Sequence, residues 1–407
     1  MNGERFRDQS LIVPRGFRAG AVAAGIKPSG RPDLALFVSD RPCSAAGLFT
    51  RCRFAAAPVI VCREHLAAGG SMRAIIVNAG NANACTGETG RLHARRMAQI
   101  AAALIQCTPE EVLPASTGVI GRPLPIEKIE AASARLAASL EDSPAAATAA
   151  AHAMMTTDAF PKWATAEIQI EDQTVRLLGL AKGAGMIHPD LATMLVFLLT
   201  DAAVDPRALH AALTAAADAS FHCLTVDGDT STNDTVIALA NGAAGTQALT
   251  PEHPQWDVFQ AALAEVCKSL ARQIAADGEG AHHLVQITVS EARDVESARR
   301  VAMTVALSPL VKTAICGNDP NWGRIIAAVG RSPAEFRPEN VRLALGGIAL
   351  FERGAPLDFD PAAVADYMRS SARVDVEIAL GAGPAQATVW TSDLTPEYVH
   401  INSEYTT

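Results

Sequence analysis

One hydroxyl is placed for nucleophilic chemistry in the stretch Lys182-Gly183-Ala184-Gly185-Met186-Ile187-His188-Pro189-Asp190-Leu191-Ala192-Thr193-Met194-Leu195. Gly183-Ala184-Gly185 is a flexible turn, Pro189 begins a polar step, and the run from 194 to 199 is apolar enough for a buried strand. Thr193 sits where loop meets run, with the small Ala192 before it. A hydroxyl at the mouth of a buried strand can act as a nucleophile. The competing reading is an ordinary strand-start threonine, which strand propensity favours.

A second stretch, Leu113-Pro114-Ala115-Ser116-Thr117-Gly118-Val119-Ile120-Gly121, sets the Thr117 hydroxyl beside the Gly118 N–H in what reads as a loop. Two donors aimed at one oxygen make an oxyanion hole. In isolation Ser-Thr-Gly is equally a turn. The run from Asn78 to Gly87 is rich in Asn and Gly and predicts a loop with exposed amides, or a simple strand-to-helix turn. The acidic run from Val226 to Thr235 lacks the glycine and glutamate that a calcium loop needs at its sixth and twelfth positions. His282-His283 is the one adjacent histidine pair. Read as strand neighbours, the two point to opposite faces and cannot easily share a metal. No Walker loop, dinucleotide fingerprint, nucleophile elbow or H-E-x-x-H is present.

The elements that position these residues read as mixed α and β. Short apolar runs at 34 to 38, 58 to 61 and 74 to 77 predict strands. Helices are expected at 89 to 106, twice between 126 and 156, from 206 to 220, from 254 to 275 and from 294 to 315. Thr108-Pro109-Glu110-Glu111 is a capping box. Further strands are expected at 164 to 180, 284 to 289, 341 to 351, 373 to 380 and 385 to 391. The apolar, alternating terminus from 398 onward is expected to dock. With 407 residues, nearly half of them apolar, the chain can bury a large core and form two lobes. The net charge of −9 argues against a nucleic-acid binder. No apolar run reaches the length of a membrane span, and the charged amino terminus is no secretory signal. Eight cysteines without a C-x-x-C pair read as free, mostly buried thiols in a reducing cytoplasm.

Taken together these stretches resemble the ornithine acetyltransferase family, also called glutamate N-acetyltransferase, of arginine biosynthesis. The resemblance runs through Gly25-Ile26-Lys27, the Asn-rich loop, Ser116 to Gly121, Thr156-Thr157-Asp158 with Pro161-Lys162, and Lys182 to Leu195. It continues through Val226 to Val236, Gly278-Glu279-Gly280, Asn321-Trp322-Gly323-Arg324 and Ile401-Asn402. It implies an α/β fold of layered helices and sheets, cut by the protein itself between Ala192 and Thr193. The products would be an amino-terminal chain, 1 to 192, and a carboxy-terminal chain, 193 to 407, that begins with the nucleophile. They would stay together as one αβ unit and pair as an α2β2 heterotetramer.

The resemblance further implies an acetyl-Thr193 intermediate that carries acetyl from N2-acetylornithine to glutamate. Thr117 and Gly118 would form the oxyanion hole. Thr156, Lys182, Thr193, Glu279, Asn402 and Thr407 would bind substrate, Glu279 pairing with an amine and Lys182 with a carboxylate. No metal or other cofactor is implied, and acetyl-CoA is admitted as a further acetyl donor. The chain departs from the family's usual pattern at Ala184, at His188-Pro189-Asp190 and at His282-His283, where Ser, Ala-Pro-Asn and Thr-Lys are usual. These departures leave open a paralogue with another donor or acceptor, an autoprocessing amidase or aminopeptidase, and a non-catalytic paralogue. The two histidines also predict activity that changes near pH 6–7.

Overall fold

The computed structural model describes residue 6, residues 10 to 188 and residues 194 to 404. Pro189 to Thr193, and with them the Ala192-Thr193 bond, lie outside the described residues, as does Thr407. Among the described residues the chain forms two mixed sheets with helices around and between them.

The first sheet contains β1 (Phe17–Val22), β2 (Leu34–Phe49), β3 (Met72–Asn81), β4 (Val112–Val119), β5 (Lys162–Ile170), β6 (Gln173–Lys182), β7 (Leu195–Thr200) and β8 (Thr235–Ala240). Its order is β4-β3-β2-β8-β7-β6-β5, with β1 paired to β2. The second contains β9 (Leu284–Ala292), β10 (Arg342–Leu345), β11 (Ile348–Glu352), β12 (Ala355–Pro356), β13 (Arg373–Ala379) and β14 (Ala385–Ser392), in the order β12-β11-β10-β13-β9-β14. The helices are α1 (Ala57–Ala67), α2 (Gly87–Ile105), α3 (Ile126–Ala138), α4 (Pro144–Met154), α5 (Pro206–Asp218), α6 (Trp256–Ala276), α7 (Val295–Ala306), α8 (Pro309–Cys316), α9 (Trp322–Gly330), α10 (Pro361–Ser370) and α11 (Pro396–Glu404).

Strand alternation explains the layering. On β2 and β3, Ala35, Phe37, Ile75 and Val77 enter a core built with α4, while Leu34, Leu36, Val38, Ala74 and Ile76 enter a core built with α2 and α3. Both faces are buried, so these strands read as continuous apolar runs rather than alternating ones. Phe37 packs on Phe197 of β7, ring centres 5.5 Å apart, which ties the two halves of the sheet. Helices α5 and α6 form the layer between the sheets, α6 contacting β5 and β6 on one side and β9 and β14 on the other. Its end delivers Asp277 and Glu279 to the junction of the sheets.

Four sequence readings are corrected. Residues 58 to 61 are helical in α1: Pro58 occupies the first turn, where proline needs no hydrogen-bonded N–H, and β-branched residues alone did not decide the element. The helix expected over 294 to 315 is broken at Ser308, which caps α8 by accepting from Val311 N. The terminal stretch, read as alternating, is helical over Pro396–Glu404 in α11. Four of the eight free cysteines are buried, so they are not mostly so. No helix of the described residues is long and apolar enough to cross a membrane.

Candidate active site

A single cleft between the two sheets is lined by Thr117, Gly118, Thr156, Lys182, Glu279 and Asn402. These are all the expected substrate and oxyanion residues that fall among the described ones. Thr117 and Gly118 lie not on a loop but at the end of β4. That strand runs parallel to β3, and the register slips at Gly80 and Asn81, opposite Thr117 and Gly118. Gly118 has φ of 131°, and a Cβ there would lie 2.4 Å from the Gly80 carbonyl carbon and 2.5 Å from Asn81 N. Only glycine fits, and its N–H is thereby held at the rim of the cleft.

The asparagine loop braces this corner. Its side chains are buried rather than exposed, as Asn78, Asn81 and Asn83 all show. Ser116 Oγ donates to Asn78 Oδ1 at 2.6 Å, and Asn78 Nδ2 donates to Asn81 O at 2.9 Å. From the far side, Asn233 Nδ2 donates to Ala82 O and Ser116 O at 2.7 and 2.8 Å. Buried amides fully used in this way fix a loop without filling it with side chains.

Lys182, at the end of β6, is buried, and its Nζ donates to Thr117 Oγ1 at 3.1 Å. Thr117 oxygen thus accepts from a cation and keeps its own hydrogen to donate elsewhere. Burial pushes the Lys182 ammonium below its ordinary value, against the opposing pull of Asp158. Lys182 therefore faces Thr117, the threonine expected at the oxyanion hole.

Beneath the cleft lies a charge cluster that sequence reading missed. Lys162 Nζ meets Asp158 Oδ1 at 2.7 Å and Asp277 Oδ2 at 2.5 Å, all buried. Asp158 also accepts from Thr156 N at 2.9 Å and Gly183 N at 2.6 Å. Asp277 accepts from Ala159 N at 3.1 Å. One lysine thus locks together the backbones that carry Thr156, Lys182 and Glu279. Burial pushes the Asp158 carboxyl up, but the neighbouring Lys162 and Lys182 charges outweigh it and hold it below the usual range. Asp277, which shares the same lysine, is pushed up to about 6, mainly by burial.

The segments that flank residues 189 to 193 are held by carboxylates from the polar run that follows Val226. Asp227 accepts from Met186 N at 2.6 Å and Ile187 N at 2.9 Å. Met186 has φ of 56°, a left-handed conformation that costs a bulky residue about 1–3 kcal/mol. On the other side Asp234 Oδ1 accepts from Met194 N at 3.2 Å. Its Oδ2 has no partner among the described residues, and burial pushes this carboxyl well above its ordinary value. The acidic run is therefore a clamp on both flanks of the Ala192-Thr193 bond. The sequence reading excludes a calcium loop here and places Val226 to Val236 in the family resemblance, but gives no hint of this role.

The remaining wall is lighter. Glu279 N donates to Ala184 O, and Asn402 Nδ2 of α11 donates to Glu279 Oε2 at 2.7 Å. Gly185 makes room for this carboxylate, which would lie 2.5 Å from a Cβ there. Tyr398, which the sequence reading passed over, also lines the cleft. His282 and His283 do not line it. They sit on a loop before β9, outside any strand, and both turn toward Asp393.

Residues 18 to 407 match the model of the ArgJ family. The chain is 48% identical over 411 residues to the arginine biosynthesis bifunctional protein ArgJ of Thermosynechococcus vestitus, covering 98% of each chain. It is 48% identical over 392 residues to the protein of the same name from Nitratidesulfovibrio vulgaris, covering 96% of this chain and 98% of that one. Among solved structures it is similar to the arginine biosynthesis bifunctional protein argJ of Bacillus halodurans, with 42% identity and a TM-score of 0.51. That match covers 51% of this chain and 98% of the other.

Proposed function

The chain belongs to the ArgJ family and is an ornithine acetyltransferase and glutamate N-acetyltransferase of arginine biosynthesis; from that premise we propose how its residues divide the work. The observation that carries the proposal is the single cleft that gathers Thr117, Gly118, Thr156, Lys182, Glu279 and Asn402 from both sheets and from α11.

Processing comes first. Thr193 Oγ attacks the Ala192 carbonyl, the peptide nitrogen leaves as the new α-amine of Thr193, and water hydrolyses the resulting ester. Residues 1 to 192 and 193 to 407 then form the two chains of one αβ unit. The Asp227 and Asp234 clamps on either flank favour this reading, since they fix both approaches to the bond. So does the Bacillus halodurans chain, which along nearly its whole length matches half of this one.

Transfer follows. The Thr193 amine, with an ordinary pKa of about 7.7–8.0, takes the Oγ proton as Oγ attacks the acetyl carbonyl of N2-acetylornithine. The carbon–nitrogen bond breaks, the proton passes to the leaving ornithine amine, and an acetyl-Thr193 ester remains. The Thr117 hydroxyl and Gly118 N–H stabilise the oxygen that becomes negative. Glutamate then repeats the attack with its own amine. Glu279, steadied by Asn402, pairs with the substrate amine. Lys182, Thr156 and Thr407 complete the binding set. None of these steps calls on a cofactor, and acetyl-CoA is a candidate second acetyl donor. Two αβ units paired in the cytoplasm complete the proposal.

Intact mass spectrometry before and after brief exposure to N2-acetylornithine tests it. Two chains split at Ala192-Thr193, the second gaining one acetyl mass, are expected. The same gain from acetyl-CoA alone would establish the second donor. A single uncut chain would overturn the Thr193 mechanism.

A further inference from the structure

Outside the cleft, one cluster of side chains combines three kinds of metal-binding donor. A nitrogen of His282, the sulfur of Cys316 and a carboxylate oxygen of Asp393 all lie within 4.8 Å of one another. They come from the loop before β9, the last residue of α8 and the residue that follows β14. We propose that His282, Cys316 and Asp393 bind one zinc-class divalent cation at a site separate from the acetyl-transfer cleft.

The donor set selects the metal. Nitrogen, thiolate and carboxylate together suit zinc, whereas calcium and magnesium take oxygen ligands. Three protein ligands leave a fourth position, and the exposed side of His282 is where water would enter. Ligand atoms arranged tetrahedrally around zinc at about 2.0–2.3 Å lie roughly 3.3–3.7 Å apart. His282 Nδ1 is already 3.9 Å from Asp393 Oδ2. The remaining contraction falls on an exposed histidine and on a cysteine at a helix end, the two ligands with room to move.

The carboxylate is already oriented. Asp393 is buried, and its Oδ1 accepts from His282 N at 2.9 Å and His283 N at 3.1 Å. Its Oδ2 faces the cluster and meets His283 Nδ1 at 3.3 Å. His283 is held in turn by Nε2, 3.1 Å from Met368 O. Outer partners that fix a ligating carboxylate in this manner are the usual support of metal sites. The adjacent histidines therefore do converge on one carboxylate, because a loop does not impose the alternation of a strand. Binding converts the Cys316 thiol to a metal-bound thiolate and releases one proton to solvent.

Cobalt(II) is the probe. Titration of the purified full-length protein, followed by absorption, is expected to give one equivalent of tetrahedral d–d bands with a thiolate-to-cobalt charge-transfer band, all displaced by zinc. Cys316→Ser should abolish the charge-transfer band. His282→Ala, at an exposed position, should weaken cobalt binding by more than the roughly 10- to 100-fold that loss of an outer partner costs. No band at saturating cobalt, or a charge-transfer band that survives Cys316→Ser, would overturn the proposal. The readout involves no acetyl transfer, so either result leaves the catalytic reading untouched.

Discussion

The two walls of the cleft are built differently. On the first-sheet side, Thr117 and Lys182 are each 2% exposed, and every neighbouring asparagine is buried and hydrogen-bonded. On the opposite side, Glu279 is half-buried, Asn402 is exposed, and α11 buries none of its residues. A donor that must meet a charge developing in the transition state gains from being fixed beforehand in a dry site. A group that must admit one substrate and then another gains from being able to adjust. Under the proposed mechanism the oxyanion donors stand on the buried wall and the pair that holds a substrate amine stands on the exposed one.

The buried wall stands on Lys162, and the largest expected effect is its removal. Lys162→Met leaves Asp158 and Asp277 buried without their cation, a loss of about 3–5 kcal/mol when a buried ion pair is broken. Urea unfolding should show it directly. A midpoint unchanged within error would mean that the cluster does not hold the wall, and the comparison would lose its basis.

Thr117→Ala sharpens the contrast. Removing one oxyanion donor costs about 10²–10³ in kcat, with KM for N2-acetylornithine little changed. A variant that raises KM and leaves kcat intact would move Thr117 to the recognition wall.

How far this division was legible in the sequence depends on the range of each signal. Thr117-Gly118 and the Thr193 turn are local patterns, and local chemistry named them. The setting of Thr117-Gly118 was misread, because Ser-Thr-Gly resembles a loop until the parallel pairing with Gly80 and Asn81 makes it a strand end. Pro58-Val59-Ile60-Val61 has strand propensity, yet the proline at the helix start and the burial of Val59 and Val61 decide for α1. The cluster of Asp158, Lys162 and Asp277 was not legible at all. Asp158 before Pro161 reads as a helix stop, and nothing local to Asp277 says that a lysine from β5 will reach it. Glu279, Lys182 and Asn402 came from resemblance, since one carboxylate, one lysine and one asparagine so far apart have no pattern of their own.

Asp277 stands where the two walls join, and pH tests the joint. Its folded pKa of about 6 lies above the ordinary carboxylate value, so the native protein holds this proton more tightly than the unfolded chain. The stability it contributes is complete below the unfolded pKa of about 3.9 and is lost as pH rises through about 6. Asp277→Asn is neutral throughout and still accepts from Lys162 and Ala159. The variant should therefore gain stability relative to the native chain between about pH 4 and 7, on the order of 2 kcal/mol. Denaturation curves at several pH values would show it, and a pH-independent difference would place the proton elsewhere in the cluster.

The smallest effect belongs to the exposed wall and is the most discriminating. Among the described residues Asn402 donates its amide to Glu279 Oε2 at 2.7 Å and to Tyr398 O within its own helix at 3.0 Å. Losing a partly exposed hydrogen bond to a charged group is worth about 1–2 kcal/mol. Asn402→Ala should therefore raise KM by roughly 5- to 30-fold while kcat stays within about twofold, because Glu279 remains and water can take the amide's place. Steady-state kinetics with each substrate varied in turn would separate the two constants. On the proposed reading Glu279 pairs with the free amine of N2-acetylornithine, whereas glutamate's one amine is the nucleophile, so KM should rise for N2-acetylornithine and change little for glutamate. An equal rise for both would mean that the exposed wall also holds glutamate, and a fall in kcat matching that of Thr117→Ala would mean that the two walls act as one.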